Sequence, residues 1–525
     1  MTRTARMANE DPKLPARVIR GPEMQATLFL LITLVPAFSA DVAEGVLLKE
    51  DYQVLQRDSA DASTCTVVLP AALQVASSVT ITVEDERGKP IRQAERAPVD
   101  LRDGGRAVVI EKLPVGGPYS IRIASAGSPE KDGMRFRNIL VGDIWILGGQ
   151  SNMFGIDVIK EKLPALPYLN MLNLLHFAKD AHWCAGEPPI HRIPEPFAES
   201  TLKRQHPDYS DAKIQEILDS KTPVGGIDCS YFFARKLFAE SGVPIGLIPC
   251  ATGAALAHWN PDEREKNRYG FLAHHVQSAG GHVKGMLFFQ GEQDAIFGDE
   301  ATTVTKPSLI APITTYGDQF VYFVQAVRQE FGGPDMPVIY AQICRHHNSP
   351  LDRSRGWEII REAQRTIPER LANSHCVPTI HLDLMDGLHL DYDSLKTVGE
   401  QMAYLALPYV KQDTAPRTEI RLKSAAFRRG PQPRIVVEFS GVEGRLKSDG
   451  KPTGFVLKEK QSGKPLDWIY KTEFDPNQPS TVILHATSIP SPDVVLYYGA
   501  GVAPHVNIVD QRGMSLPAFG PVELK

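Results

Sequence analysis

The apolar residues Ile139-Leu-Val141 and Ile144-Trp-Ile-Leu147 run up to Gly148-Gly149 and break off into Gln150-Ser-Asn-Met153. An apolar stretch of this length reads as a buried strand, and the two glycines after it as a tight turn. Strands buried on both faces belong to parallel sheets covered by helices. A polar turn closing a core strand would look the same in isolation. What singles out this turn is Ser151. A serine lifted off the end of a buried strand has an exposed hydroxyl, and its backbone N–H is turned to the same small space. A serine nucleophile needs both.

The pattern continues as alternating strands and helices. A helix over 229–240 carries Phe232, Phe233, Leu237 and Phe238 at helical spacing, and Ser241-Gly242 ends it before a strand at Ile245 to Cys250. Val283 to Phe289 predicts another buried strand. The next helix has its stripe at Phe320, Phe323, Val324, Val327 and Phe331 and stops at Gly332-Gly333. Strand 337–343, helix 357–371, strand 376–382 and helix 394–407 follow. Residues 139–411 therefore predict an α/β domain, a doubly wound parallel sheet with its chemistry at the carboxyl ends of the strands. Residues 160–226, rich in Pro, His and charge, interrupt the pattern and read as an insertion, either shaping access to the site or simply solvated.

Both flanks read differently. Over 41–138, short β-branched strands (66–69, 79–83, 107–110, 119–123) alternate with turn signals such as Asp103-Gly-Gly105, which predicts a β-sandwich. Over 412–525, Arg434 to Phe439, Val482 to His485 and Val494 to Tyr498 predict a second β domain, either a carbohydrate-contacting module or a lid. Residues 1–40 form a signal region: the apolar run Ala26 to Phe38 lies behind Arg17 and Arg20 and ends at Ser39-Ala40, and Met24 is an alternative start. That run is too short for a comfortable membrane span. The expectation is a secreted or periplasmic protein, and the lack of any Asn-x-Ser/Thr acceptor favours a bacterial one. A net charge of −5 over 525 residues carries no polybasic signature and argues against a nucleic-acid partner. Six scattered cysteines without a C-x-x-C leave disulfide pairing open and speak against a zinc or redox cluster.

Four segments each follow a predicted strand of the central domain: Gly149 to Met153, Ala251 to Ala255, Gln290 to Asp294 and Asp386 to His389. In a parallel sheet all four reach one rim. His389 is then placed to accept the proton of Ser151, with Asp386 orienting its other ring nitrogen. Donors for a developing oxyanion come from the backbone N–H of Ser151, from Gly253, where the missing side chain permits close approach, and from the side-chain amide of Gln290. Gln150, Asn152 and Glu292 are the expected substrate contacts, and Glu292 and Asp294 also fix their loop.

These residues resemble the SGNH (GDSL-type) hydrolase superfamily and, within it, sialate O-acetylesterase-like proteins and related carbohydrate esterases. The family's strand-to-serine motif stands nearly whole at Val141 to Met153. Its helix–strand–glycine block is similar to Tyr231-Phe-Phe-Ala-Arg235, Gly242 to Ile248 and Gly253, and its Gln-Gly-Glu block to Gln290-Gly-Glu292. Val54-Leu-Gln-Arg57, Gly116 to Tyr119, Tyr497 to Ala500 and Ser515 to Phe519 resemble its flanking β regions. The resemblance implies a flavodoxin-like catalytic fold with the triad Ser151, Asp386 and His389, and oxyanion donors at Ser151, Gly253 and Gln290. It implies removal of O-acetyl groups from a carbohydrate, with no metal or other cofactor. Departures at Thr252-Gly-Ala-Ala255, at Gln293 and at Phe154 bear on the substrate, so acetylated xylan or another polysaccharide stands beside sialic acid. A catalytically silent carbohydrate-binding protein and an acetyltransferase are the other readings. The oligomeric state is not legible.

Overall fold

In the computed structural model, the described residues are 45–525 apart from 75, 103–104, 126–132, 162, 174–180, 194, 221–223, 266, 298–311, 348–353 and 489. The expected signal region, residues 1–40, lies outside them. Among the described residues no helix is long and apolar enough to cross a membrane.

Among the described residues, the main path of the central sheet has seven strands: β1 (Met134–Gly149), β2 (Leu169–Asn173), β3 (His182–Ala185), β4 (Ile245–Pro249), β5 (Gly285–Phe289), β6 (Val338–Gln342) and β7 (Ser374–Pro378). Their order is β3-β2-β4-β1-β5-β6-β7. All neighbours are parallel except β3, which runs antiparallel to β2 at the edge. The core β4-β1-β5-β6-β7 has the flavodoxin-like order, in which the chain turns to one side of its first strand and later to the other. That change of direction falls between β1 and β5, where Gly149 pairs with Phe289.

Alternate residues of the strands feed two separate cores. Trp145, Leu147, Leu247, Leu287, Phe289 and Val377 face the helices Cys229–Ser241 and Tyr392–Val410. Ile144, Ile146, Met286, Phe288, Val338 and Tyr340 face the helices Arg268–Ser278, Tyr316–Val327 and Ser354–Arg370. With both faces covered, the strands need no polar alternation, which is why they read as continuous apolar runs. The helix ends carry their own signals. Asp228 caps one helix by accepting the Ser230 amide, and Gly242 closes it at φ 72°.

The N-terminal strands form two sheets around one apolar core that includes Leu55, Val67, Ile81, Ile110, Ile121 and Val141. One of these sheets runs into the central sheet through β1. Up to Val141, β1 pairs antiparallel with Gly116–Ser125, and from Asp143 it pairs parallel with β4. The expected boundary at 138/139 thus falls inside a single strand. The chain bends there, since Asn138 sits at φ 57°, a left-handed conformation that asparagine tolerates. Strands over 421–523 make two four-stranded sheets and a two-stranded one. Their apolar residues Ile435, Leu484, Leu496 and Phe519 belong to the same core as Val398 and Met402 of the helix Tyr392–Val410. The segment 160–226 departs from the simple insertion expected of it, because it supplies β2 and β3 to the sheet. The shortness of β2, five residues in a Pro-rich surrounding, hides it from periodicity. All six cysteines are free thiols.

Candidate active site

Ser151 begins a single helical turn, Ser151–Phe154, directly after β1. The turn is tight because Gly149 adopts φ 131°, and a Cβ there would lie 2.1 Å from the Phe289 carbonyl oxygen. Only glycine lets β1 and β5 stay paired to their ends, and the Gln150 amide then donates to that carbonyl at 2.8 Å. As the first residue of the turn, Ser151 has no carbonyl one turn earlier for its N–H.

The imidazole of His389 reaches Ser151 across 238 residues of chain, with Nε2 2.9 Å from Oγ. Its Nδ1 lies 2.7 Å from Asp386 Oδ2. The other carboxylate oxygen of Asp386 accepts the amides of His389 and Leu388 at 2.9 and 3.1 Å. Partial burial raises the carboxyl's pKa, but the imidazole bond and the two amides outweigh it and hold the group well below the usual carboxylate range. The Asp386–His389 turn is held from both sides. Leu390 donates to Asn152 Oδ1 at 3.0 Å, and Tyr392 donates to Asp157 Oδ2 at 2.6 Å.

The second segment is pinned amide by amide. Cys250 donates to Leu147 O and Thr252 to Gly149 O, both at 2.8 Å. Gly253 follows, exposed, and a Cβ built on it would meet nothing within 4 Å. Leu256 donates to both oxygens of Asp294 at 3.3 and 3.1 Å, which ties this segment to the loop after β5. Burial lifts the Asp294 pKa to about 6 and raises that of Glu292.

Four of the side chains expected to meet substrate or oxyanion are engaged inside the protein. Gln290 is 1% exposed, with its amide nitrogen donating to Asp294 and to Ala254 O while its oxygen accepts from Tyr316. Both of its N–H groups are used inside the protein, so it has none to offer an oxyanion. Asn152 and Glu292 are equally buried and bond to each other at 2.7 Å. They join loops. The oxygen of Gln150 accepts from the amides of Gly291 and Gln293, so its role too is in the loop junction. Isolated polar residues in a loop carry no signal that separates a buried strut from a ligand contact.

The residue that sequence reasoning missed is His191. It is 2% exposed, with Nδ1 3.0 Å from Asp228 Oδ2 and Nε2 accepting the Ala251 amide at 3.3 Å. No pattern around it marks it, and its partner Asp228 takes its place as an N-cap only in the folded chain.

This geometry has relatives. A family model described as carbohydrate esterase, sialic acid-specific acetylesterase, matches residues 141–407. A probable carbohydrate esterase of Arabidopsis thaliana is 26% identical over 276 residues, covering 50% of this chain and 88% of that protein. A carbohydrate acetylesterase from Xanthomonas citri superposes with a TM-score of 0.63 at 19% identity, over 90% of this chain and 98% of that one, a likeness of fold. The family match begins within the serine strand and ends in the helix that follows His389, so it takes in all four rim loops: the chain belongs to the carbohydrate esterase family of sialic acid-specific acetylesterases.

Proposed function

We propose that this chain is an exported serine esterase that removes O-acetyl groups from sialic acid or a related acetylated carbohydrate through an acetyl-serine intermediate. The observation that carries the reading is the unbroken chain from Ser151 Oγ to His389 Nε2 and from His389 Nδ1 to Asp386, at 2.9 and 2.7 Å. Ser151 Oγ attacks the acetyl carbonyl carbon while His389 takes its proton. Asp386 holds the ring in the Nδ1–H tautomer and stabilises the imidazolium. The oxyanion turns to the N–H groups of Ser151 and Gly253, with no contribution from the Gln290 side chain. The imidazolium then protonates the departing sugar hydroxyl, leaving acetyl on Ser151. Water, deprotonated by His389, attacks the acetyl carbon and releases acetate.

Two measurements test this. Ser151→Ala is expected to abolish aryl acetate hydrolysis, and wild-type turnover by that variant removes the acyl-serine mechanism. Acetate release from O-acetylated sialic acids, set against acetylated xylan and pectin, decides the substrate.

A further inference from the structure

His191 and Asp228 form a second imidazole–carboxylate pair, separate from the one at Ser151. Both are buried, at 2% and 1% exposure. The two ring nitrogens face different partners. Nδ1 meets Asp228 Oδ2 at 3.0 Å, and a carboxylate there demands the proton on Nδ1. Nε2 is then left with a lone pair, which the Ala251 N–H needs at 3.3 Å. Asp228 is itself anchored. Its Oδ1 accepts the Ser230 amide at 2.7 Å and the Ser230 hydroxyl at 2.5 Å, at the start of the helix Cys229–Ser241. The ring of Phe154, from the serine turn, lies against the imidazole with centroids 5.1 Å apart.

Ala251 lies between two other pinned amides, those of Cys250 and Thr252. His191 supplies the third tie, and it is the one that reaches outside the sheet to a rigid helix end. The next residue but one is Gly253. We propose that His191 is a positioning residue: through Asp228 it fixes the Ala251 peptide, and so holds the Gly253 N–H where the oxyanion forms. The inference rests on the esterase reading above and on Gly253 as a donor. His191 is buried and its ring nitrogens are taken by Asp228 and Ala251, so its effect should fall on kcat and not on KM. A misplaced donor costs less than a missing one, and loss of a single oxyanion donor costs roughly 10²–10³ in kcat.

The decisive variant is Asp228→Asn. Its oxygen keeps both Ser230 bonds and with them the helix cap. Its amide, however, donates to Nδ1 and moves the ring proton to Nε2, so that an N–H faces the Ala251 N–H. The expected result is a fall in kcat of about 10–100-fold on an aryl acetate with KM nearly unchanged. Hydrogen exchange should quicken in the 250–255 peptide, while the 229–241 helix stays protected. His191→Gln, which offers a carbonyl oxygen and an amide at similar separation, should keep most of the kcat that His191→Leu loses. Wild-type kcat and exchange in Asp228→Asn overturn the proposal, and so does equal loss in the Gln and Leu variants. If the wild-type protein releases no acetate from any substrate, the esterase reading fails. Exchange at 250–255 still reads the tie in that case, and unchanged exchange there overturns the role of His191 independently.

Discussion

The Leu390 amide donates to Asn152 Oδ1 at 3.0 Å, joining the residue after the candidate nucleophile to the residue after the candidate base. The same Asn152 side chain donates to Glu292 Oε1 at 2.7 Å. One buried amide therefore spans three loops. The reacting pair lies nearer the surface, and its spacing is set by this neighbour underneath.

Asn152→Leu should separate Ser151 from His389 without altering either. It leaves the Leu390 amide unpaired and strips Glu292 of a partner, although Glu292 Oε2 already has none. Each unsatisfied buried group costs about 1–3 kcal/mol, and a misplacement near 1 Å costs roughly 100-fold in rate. The expected outcome is a loss of about 2–4 kcal/mol in urea unfolding together with a kcat loss near 100-fold. A variant with full activity would show that the bridge does not set the geometry.

The Asp386 carboxyl is held far below its ordinary value by the His389 ring and by two backbone amides, which overcome its partial burial. A depressed value in the folded state means the carboxylate is present above the unfolded value and is lost only as pH falls through the depressed one. Asp386 therefore stays ionised across any practical assay range. Protonation of Asp386 should leave no limb of its own in the acid arm of a pH–rate profile. Asp386→Asn keeps the amide acceptor but favours the wrong tautomer, and kcat should drop by about 10²–10⁴. An acid limb present in the wild-type pH–rate profile and absent from that of Asp386→Asn would contradict this assignment.

Asp294 makes the opposite prediction. Burial lifts its pKa to about 6, above the unfolded value. The stabilisation from burying the neutral acid is then fully present below about pH 4 and is lost as pH rises through about 6. The two-unit shift corresponds to roughly 2–3 kcal/mol. In Asp294→Asn this dependence disappears. The difference in unfolding free energy between variant and wild type should therefore shift in favour of the variant by that amount between pH 4 and pH 7. Parallel curves would place the titration elsewhere.

Much of this architecture was legible because it is local. The run into Gly148-Gly149, the stripe Phe320 to Phe331 and the Gly242 stop each carry their period or punctuation within a dozen residues. Ser151, Asp386 and His389 were legible because they end or follow such elements, and the fold brings them together. What was hidden depends on partners distant in sequence. Gln290 looks like a free amide until Asp294 and Ala254 occupy it, and His191 looks like loop until Ala251 arrives at its ring. The bend in β1 rests on one backbone angle at Asn138, which composition does not record.

Arg361 extends the site's support into the C-terminal strands. The side chain is 1% exposed and faces carbonyls only. Nε donates to Ile343 O at 3.2 Å, Nη2 to Cys344 O at 2.6 Å and to Val502 O at 3.2 Å, and Nη1 to Gly501 O at 2.6 Å. Burial lowers the guanidinium's pKa, as it must for a cation with neutral partners. The fork thus clamps the 499–502 segment onto the end of β6. From there His347 donates its amide to Gly387 O at 2.7 Å, inside the Asp386–His389 turn. Arg361→Met keeps the stem but leaves these carbonyls unpaired, and should cost about 3–5 kcal/mol. Arg361→Lys should not recover it, because one ammonium cannot reach carbonyls arranged around a planar fork. In both variants the thermal midpoint should fall, and activity should be lost at a lower temperature than global unfolding as the His389 turn loosens first. Full recovery of stability by lysine would mean that the cavity requires only a positive charge.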